Sequence, residues 1–358
     1  MTKPVFCGKI QIGGGAPVSI QSMITSKTAD IESAVAEINA LALAGCDIVR
    51  LAVPDMDSAI AFGKIRSKVL VPLVADIHFD HTLAIEAIRQ GADKIRINPG
   101  NIGTPDQVHR IVTTAKEYNI PIRVGVNAGS LEKDILKTKG ICAKALVESA
   151  MRNVRLLESM DFDTIVISMK ASNVKMTYDA YRQISTMTEY PLHIGITEAG
   201  PLNVAILKSA VGLGGLLLAG IGDTMRVSIT GDSLREPEIA MEILAAAGLR
   251  KNAIEFISCP TCGRTKVDLA YMAGVIENRL RNEVAPLRRL RGLPPISVAV
   301  MGCEVNGPGE AAEADVGVAC GAGRGALFVK GKIIKTVKDA EIIDEILRLV
   351  EDYEAYSG

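Results

Sequence analysis

Apolar positions along the first 250 residues follow two periods in turn. Short runs rich in β-branched residues, at 18–23, 47–53, 71–77, 94–100, 121–127, 164–170, 192–198 and 224–230, read as strands. Between them the spacing lengthens to that of helices. Residues 30–44 carry apolar side chains at 31, 34, 35, 38, 41 and 42, one stripe of a helix, and 81–90, 104–118 and 143–160 follow the same period. Strand–helix alternation predicts a parallel sheet, and eight units in about 230 residues is the count that closes a (β/α)8 barrel of the TIM type. An open doubly wound sheet is the rival, with no fixed strand number. Ahead of the first helix, 5–12 and 18–23 flank Gly13-Gly14-Gly15, which predicts a hairpin.

Beyond a helix at 237–247 the pattern changes. Runs at 255–258, 296–301, 315–319 and 326–337 predict strands; 266–281 and 339–353 predict helices, with a basic, proline-marked surface connection at 282–295. Two domains are expected, a barrel at 1–250 and a smaller α+β domain at 251–358. The most apolar stretch, 209–222, is too short to span a bilayer and is expected as a buried loop or short helix.

Composition narrows the function classes. Hydrophobic residues at 48% and charged residues at 23% are ordinary for a folded soluble protein. A net charge of −1 gives no electrostatic case for nucleic acid or an anionic membrane as partner. Met1-Thr2-Lys3-Pro4 lacks the apolar stretch of a signal peptide. Seven cysteines are too few for a disulfide scaffold and fit thiols kept reduced in a cytoplasmic protein.

Barrel active sites lie at the C-terminal ends of the strands. Those ends hold Arg50, Asp76, His78, Arg96, Asn98, Arg123, Asn127, Lys170, Glu198, Arg226 and Ser228. Five cations, Arg50, Arg96, Arg123, Lys170 and Arg226, come from five strands, each in or beside an apolar run where an unpaired charge is costly. Inter-strand salt bridges to Asp76 and Glu198 are the plain explanation, but the cations outnumber those acids. Guanidinium forks suit phosphate oxygens, and several together suit a diphosphate. A lone strand histidine is more often structural than catalytic, so His193 carries less weight than His78.

Cys259-Pro260-Thr261-Cys262 places two thiols in one tight turn, and Cys303 follows 41 residues later. Thiolates in this arrangement select zinc or an iron–sulfur cluster. Structural zinc usually adds a second CxxC or histidines, and no histidine follows residue 193. A cluster needs a fourth ligand. Cys320, or Glu310 after the Gly307-Pro308-Gly309 turn, satisfies the spacing equally well. Gly321-Ala322-Gly323-Arg324-Gly325-Ala326 fits a relaxed dinucleotide pattern, but a strand is expected after it where that fingerprint requires a helix.

Several strings together resemble one family: Asp47-Ile48-Val49-Arg50-Leu51, Lys94-Ile95-Arg96-Ile97-Asn98-Pro99-Gly100-Asn101 and Arg123-Val124-Gly125-Val126-Asn127-Ala128-Gly129 in the first half. Ser168-Met169-Lys170-Ala171-Ser172, Gly195-Ile196-Thr197-Glu198-Ala199-Gly200, Ser258-Cys259-Pro260-Thr261-Cys262-Gly263-Arg264 and Met301-Gly302-Cys303-Glu304-Val305-Asn306-Gly307-Pro308-Gly309-Glu310 continue the match. The family is 4-hydroxy-3-methylbut-2-enyl diphosphate synthase of the methylerythritol phosphate route to isoprenoids. The resemblance covers nearly the whole chain, in the short bacterial form without the inserted domain of plant-type enzymes.

It implies a barrel followed by a [4Fe–4S] domain related to the sulfite-reductase repeat, with the cluster on Cys259, Cys262, Cys303 and Glu310. The implied reaction opens the ring of 2-C-methyl-D-erythritol 2,4-cyclodiphosphate and removes a hydroxyl as water, giving (E)-4-hydroxy-3-methylbut-2-enyl diphosphate. Two electrons come from reduced flavodoxin or ferredoxin. A head-to-tail homodimer is implied, each cluster domain capping the partner's barrel. Arg50, Arg96, Arg123, Lys170 and Arg226, with Asn98, Asn127 and Ser228, are then expected to hold the diphosphate. Glu310 is expected to be the displaceable ligand, and Glu198 the proton donor ahead of Asp76 and His78.

Overall fold

Eight parallel strands close a ring, and the register of that ring decides which side chains face its lumen. The computed structural model describes residues 1–303 and 313–353, so Glu310 lies outside the described residues. The chain divides into two units, Met1–Arg250 and Lys251–Gly358. Among the described residues no helix is long and apolar enough to cross a membrane.

The first unit begins with β1 (Val5–Cys7) paired antiparallel with β2 (Ile10–Ile12). The predicted hairpin across Gly13-Gly14-Gly15 is corrected here. The chain reverses at Gly8, whose φ of +54° suits a residue without Cβ, and the three glycines carry it onward, each with positive φ. Cys7 and Ile12 of this hairpin meet Ile48 and Val74 and seal one end of the barrel.

The ring comprises β3 (Ser19–Met23), β4 (Ile48–Ala52), β5 (Leu73–Asp76), β6 (Lys94–Ile97), β7 (Ile122–Asn127), β8 (Ile165–Lys170), β9 (His193–Gly195) and β10 (Thr224–Arg226). Every neighbouring pair is parallel, β10 pairs back onto β3, and a bridge from Ile167 to Leu192 joins β8 to the approach of β9. The expected (β/α)8 barrel is present. Helices start where a short polar side chain caps them: Asp30, Asp55, Asp80, Thr104 and Asn173 each accept a backbone N–H two or three residues on. The apolar run at 209–222 is not a loop or a short helix. It forms most of the helix Leu202–Leu218, because small and branched apolar residues continue the helical stripe.

Side chains alternate across a strand, so the register sorts them. Val49, Leu51, Ala75, Ile95, Ile97, Val124, Ile165, Ile167, Met169 and Ile194 point outward into the main core beneath the helices. The alternate set faces the lumen. Arg50 stands opposite Val74, Arg96 opposite Asp76 and Arg123, Asn127 opposite Lys170, and Gly195 opposite Arg226. Layers of branched apolar residues usually fill such a lumen. Here much of it is cationic.

The second unit is a five-stranded sheet in the order β11 (Ile254–Ser258), β12 (Ile296–Met301), β13 (Val316–Cys320), β14 (Arg324–Val329), β15 (Lys332–Lys338). The first three strands are parallel and the rest antiparallel. The single strand expected at 326–337 is two, folded at Lys330-Gly331 where both φ values are positive. Strand β14, which begins within the glycine-rich 321–326 segment and runs on past it, is at odds with a dinucleotide fold. Helices Leu269–Arg279 and Ile342–Glu351 bury one sheet face. The surface connection expected at 282–295 is instead largely helical, over Leu280–Val284 and Ala285–Leu290. It is held by Arg288, buried with Nη2 donating to the Pro294 carbonyl at 2.7 Å.

Candidate active site

The inward cations of the barrel gather around one carboxylate. Asp76 Oδ1 lies 3.1 Å from Arg96 Nη1, and its Oδ2 lies 3.8 Å from Arg50 Nε and 3.6 Å from His78 Nε2. Arg96 Nη1 also meets His78 Nε2 at 2.7 Å, and Nη2 donates to the Gly125 carbonyl at 3.3 Å. Arg50 donates through Nε and Nη2 to the Met23 sulfur at 3.1 and 2.9 Å, a weak acceptor. Arg226 finds a carboxylate of its own, with Nε and Nη2 each 3.0 Å from Glu236.

Among the described residues Arg123, Lys170 and Lys94 have no such partner. Arg123, 1% exposed, has Nε and Nη1 buried without a hydrogen-bond acceptor, and Lys170 is buried beside it on β8. Glycines make room for this crowding. A Cβ on Gly125 would come 2.2 Å from Arg96 Nε, and one on Gly195 2.9 Å from Lys170 Nζ.

Asp76 and Glu236 are the buried carboxylates among the described residues, and they share the lumen with six inward cations: Arg50, Lys94, Arg96, Arg123, Lys170 and Arg226. The imbalance shows in the ionisation. Burial lowers Arg50 to about 10, Asp76 opposing and Arg226 and Arg96 adding to the shift. Burial, then repulsion from Arg50, brings Arg123 and Lys170 well below their ordinary ranges. Burial alone would raise Asp76, but Arg50, the His78 hydrogen bond, Arg96 and Arg123 outweigh it and hold the carboxyl far below the carboxylate range. An anion with several oxygens is the natural complement of this lumen.

In the second unit, parallel pairing of β11 with β12 sets Ser258 opposite Val300, so Cys259 and Cys303 leave the same end of adjacent strands. Cys259 is half-buried, its sulfur accepting the Gly302 N–H at 3.3 Å; Cys262 is exposed and Cys303 buried. The backbone N–H of Arg264 leads the effects that lower the Cys262 thiol. Arg264, Lys266 and Arg324 join Cys303 around a pocket of about 500 Å³.

A model of the GcpE TIM-barrel domain matches residues 2–241, and one of the GcpE protein C-terminal domain matches 255–352.

The chain belongs to the GcpE family.

Relatives named 4-hydroxy-3-methylbut-2-en-1-yl diphosphate synthase (flavodoxin) agree. The one from Clostridium acetobutylicum is 51% identical over 98% of both chains. The one from Caldicellulosiruptor saccharolyticus is 54% identical over 99% of both, and that from Bacillus subtilis 49% identical over 98% of this chain and 91% of its own. Among solved structures, a dihydropteroate synthase from Yersinia pestis has a TM-score of 0.50 at 10% identity, covering 68% of this chain and 97% of its own. That likeness shows the barrel alone.

Within this GcpE-family chain the predicted rim residues fall into groups. Arg50, Asp76, His78, Arg96 and Arg123 come together, and Lys170 and Arg226 stand on the neighbouring inward positions. Asn98 is buried, its Oδ1 accepting the Gly100 N–H at 3.2 Å and its Nδ2 without a partner. Asn127 and Ser228 are half-buried. Glu198 is exposed on the loop after β9, with φ +52°, a conformation unusual for a side-chain-bearing residue. The enclosed carboxyl expected for a proton donor is therefore not seen at Glu198 in this chain. Asp76, the other carboxyl expected as a donor, is held far below the usual carboxylate range by Arg50, the His78 hydrogen bond, Arg96 and Arg123. His193 is fully buried, Nδ1 3.4 Å from Thr224 Oγ1.

Lys94 and Glu236 escaped the sequence reading. Lys94 stands at the start of a strand rather than its end, and Glu236 lies in the helix Arg235–Ala246 that folds back toward β10. The alternation Lys94-Ile95-Arg96-Ile97 was the available signal for the first.

Each thiolate of an iron–sulfur cluster binds its own iron, so the ligands need not converge. Among the described residues no three His, Cys, Asp or Glu side chains are close enough to hold one metal ion. Cys320 points into the apolar core, 4.0 Å from the Met272 sulfur, and burial pushes its thiol up to about 12.

Proposed function

We propose that the inward cations of the barrel hold the diphosphate of 2-C-methyl-D-erythritol 2,4-cyclodiphosphate while electrons enter from the thiol-bearing end of the second unit. The enzyme converts this cyclic diphosphate to (E)-4-hydroxy-3-methylbut-2-enyl diphosphate in isoprenoid precursor biosynthesis. One observation carries the assignment of the site: six inward cations from five strands of one lumen, four of them buried and two half-buried, share it with two buried carboxylates. Flavodoxin as donor follows the names of the relatives. Ferredoxin in its place, a head-to-tail homodimer and a cytoplasmic setting belong to the same reading.

Arg123 and Lys170, which lack carboxylate partners, take the phosphate oxygens directly. Arg50 and Arg96, held by Asp76, present their remaining N–H groups at fixed angles, and Arg226 does so from Glu236. Asn98, Asn127 and Ser228 supply neutral donors at the rim. Fixing the diphosphate orients the sugar and offsets charge that develops as a carbon–oxygen bond breaks. The hydroxyl leaves as water, so a proton must reach that oxygen. Glu198 is the carboxyl we assign to deliver it, with His78 the alternative beside Arg96. Cys259, Cys262, Cys303 and Glu310 would hold a [4Fe–4S] cluster, whose chemistry would be to pass the two electrons one at a time.

Anaerobic purification with iron and sulfide assay, followed by addition of the cyclic diphosphate and reduced flavodoxin, tests this. Expected are about four irons and four sulfides per chain on Cys-ligated sites and formation of the linear diphosphate. Colourless protein that binds zinc would overturn the reading.

A further inference from the structure

Below the rim the lumen holds a second tier of polar side chains that these roles leave unused. Ser19, Gln21, Lys94 and His193 are buried, and Ser19 Oγ, both amide atoms of Gln21, Lys94 Nζ and His193 Nε2 have no hydrogen-bond partner. Lys94 stands opposite Val74, one inward position before Arg96 on β6. Beneath it the hairpin residues Cys7 and Ile12 close the lumen with apolar surface against Ile48 and Val74.

The charged and titratable groups facing Lys94 come from five places: Cys7 on the hairpin, Arg123 on β7, Arg50 on β4, Asp93 just before its own strand and His193 on β9, whose imidazole is brought well below its ordinary range by burial and the surrounding cations. Asp93 is engaged elsewhere, 3.1 Å from Arg66 Nε and accepting the Leu73 N–H at 2.8 Å. Cys7 stays neutral, burial pushing its thiol up to about 11. Among the described residues Lys94 thus has two cations near it and no acid of its own. Burial, reinforced by Arg123 and Arg50 against Cys7 and Asp93, brings its ammonium down to about 8.

We propose that Lys94 is an electrostatic positioning residue of the anion site, touching no ligand but supplying charge from beneath Arg123, protonated from solvent as the diphosphate arrives. The proposal rests on the reading of the lumen as a diphosphate site. A buried ammonium without a counter-ion destabilises a fold, and an apolar side chain of similar length would suit the same space better. The ligand supplies the missing counter-charge, and in return protonated Lys94 strengthens the hold on it.

Calorimetric titration of the cluster-loaded protein with the cyclic diphosphate separates the possibilities. It is run without reductant, so nothing turns over, near pH 8.5, just above the value of about 8 at which buried Lys94 gives up its proton, in two buffers of different ionisation enthalpy. Wild type is expected to take up protons on binding. Lys94→Met is expected to take up fewer, to bind about tenfold more weakly, and to melt at higher temperature than wild type. A purely structural lysine would leave affinity and proton uptake unchanged, and that result in a folded Lys94→Met overturns the proposal. If Lys94→Met does not fold, Lys94→Gln serves the same comparison. Wild-type binding without proton uptake also overturns the role of Lys94, whereas a wild type that fails to bind the cyclic diphosphate overturns the functional reading instead.

Discussion

Glu236, 2% exposed, grips Arg226 with both carboxylate oxygens at 3.0 Å and accepts the Ser22 hydroxyl at 2.6 Å. Breaking a buried pair by removing one partner strands the other charge. Glu236→Gln is therefore expected to lose roughly 3 kcal/mol of stability, measured by urea unfolding. Added inorganic diphosphate should restore part of it, because an anion replaces the missing counter-charge. Equal stability with and without the carboxylate would show that the pair contributes nothing.

Gly125 gives Arg96 the space in which its guanidinium lies, the hypothetical Cβ falling 2.2 Å from Nε. Gly125→Ala should displace Arg96 and weaken binding of the cyclic diphosphate by about tenfold or more, as a lost charged hydrogen bond does. Arg96→Leu should do the same. In both variants the visible spectrum of the cluster should match wild type, and a change in that spectrum would mean the damage was not confined to the barrel.

Cys320 and Cys303 should part company on iron analysis. Cys320 is buried against Met272, so Cys320→Ala should keep full iron and sulfide at a modest loss of core stability. Cys303→Ala, at the strand end, should lose the cluster. Glu310→Gln should weaken the cluster or abolish turnover. Loss of iron in Cys320→Ala would return that thiol to the ligand set.

Alkaline pH tests the buried lysine through stability. The folded value of Lys94, about 8, lies below the unfolded 10.5, so between them the unfolded chain binds a proton that the folded chain does not. Stability from this group must therefore rise with pH across that window, with the full penalty present below pH 8. Lys170 shifts in the same direction, so the diagnostic quantity is the difference between proteins. Urea unfolding of wild type and Lys94→Met should converge as pH rises from about 8 to about 10, and parallel curves would refute the assignment.

Much of the barrel was legible because its strands and helices advertise themselves by period and caps. The eight runs reappear as β3 to β10, and Asp30, Asp55, Asp80 and Thr104 mark helix starts as side chains do anywhere. The first hairpin was misplaced because three glycines signal a turn more loudly than Gly8-Lys9, although only packing of Cys7 and Ile12 under the ring selects the pairing. The helical stretch after Arg279 was hidden by its proline and its charges. Burial of Arg288 against backbone carbonyls is a tertiary fact that composition does not announce.

The sequence by itself determined the repeat count, the cations at the strand ends, the three thiols and, through its long ordered strings, the family. Those depend on local periodicity and residue chemistry, which each short segment carries alone. Tertiary structure decided which charges are paired. Glu236 reaches Arg226 from a helix, Asp76 sits between Arg50, Arg96 and His78, and Lys94 meets no acid because ring closure turns its strand position inward above an apolar plug. Pairing is a property of distance and burial across strands far apart in the chain, and only the closed ring sets those.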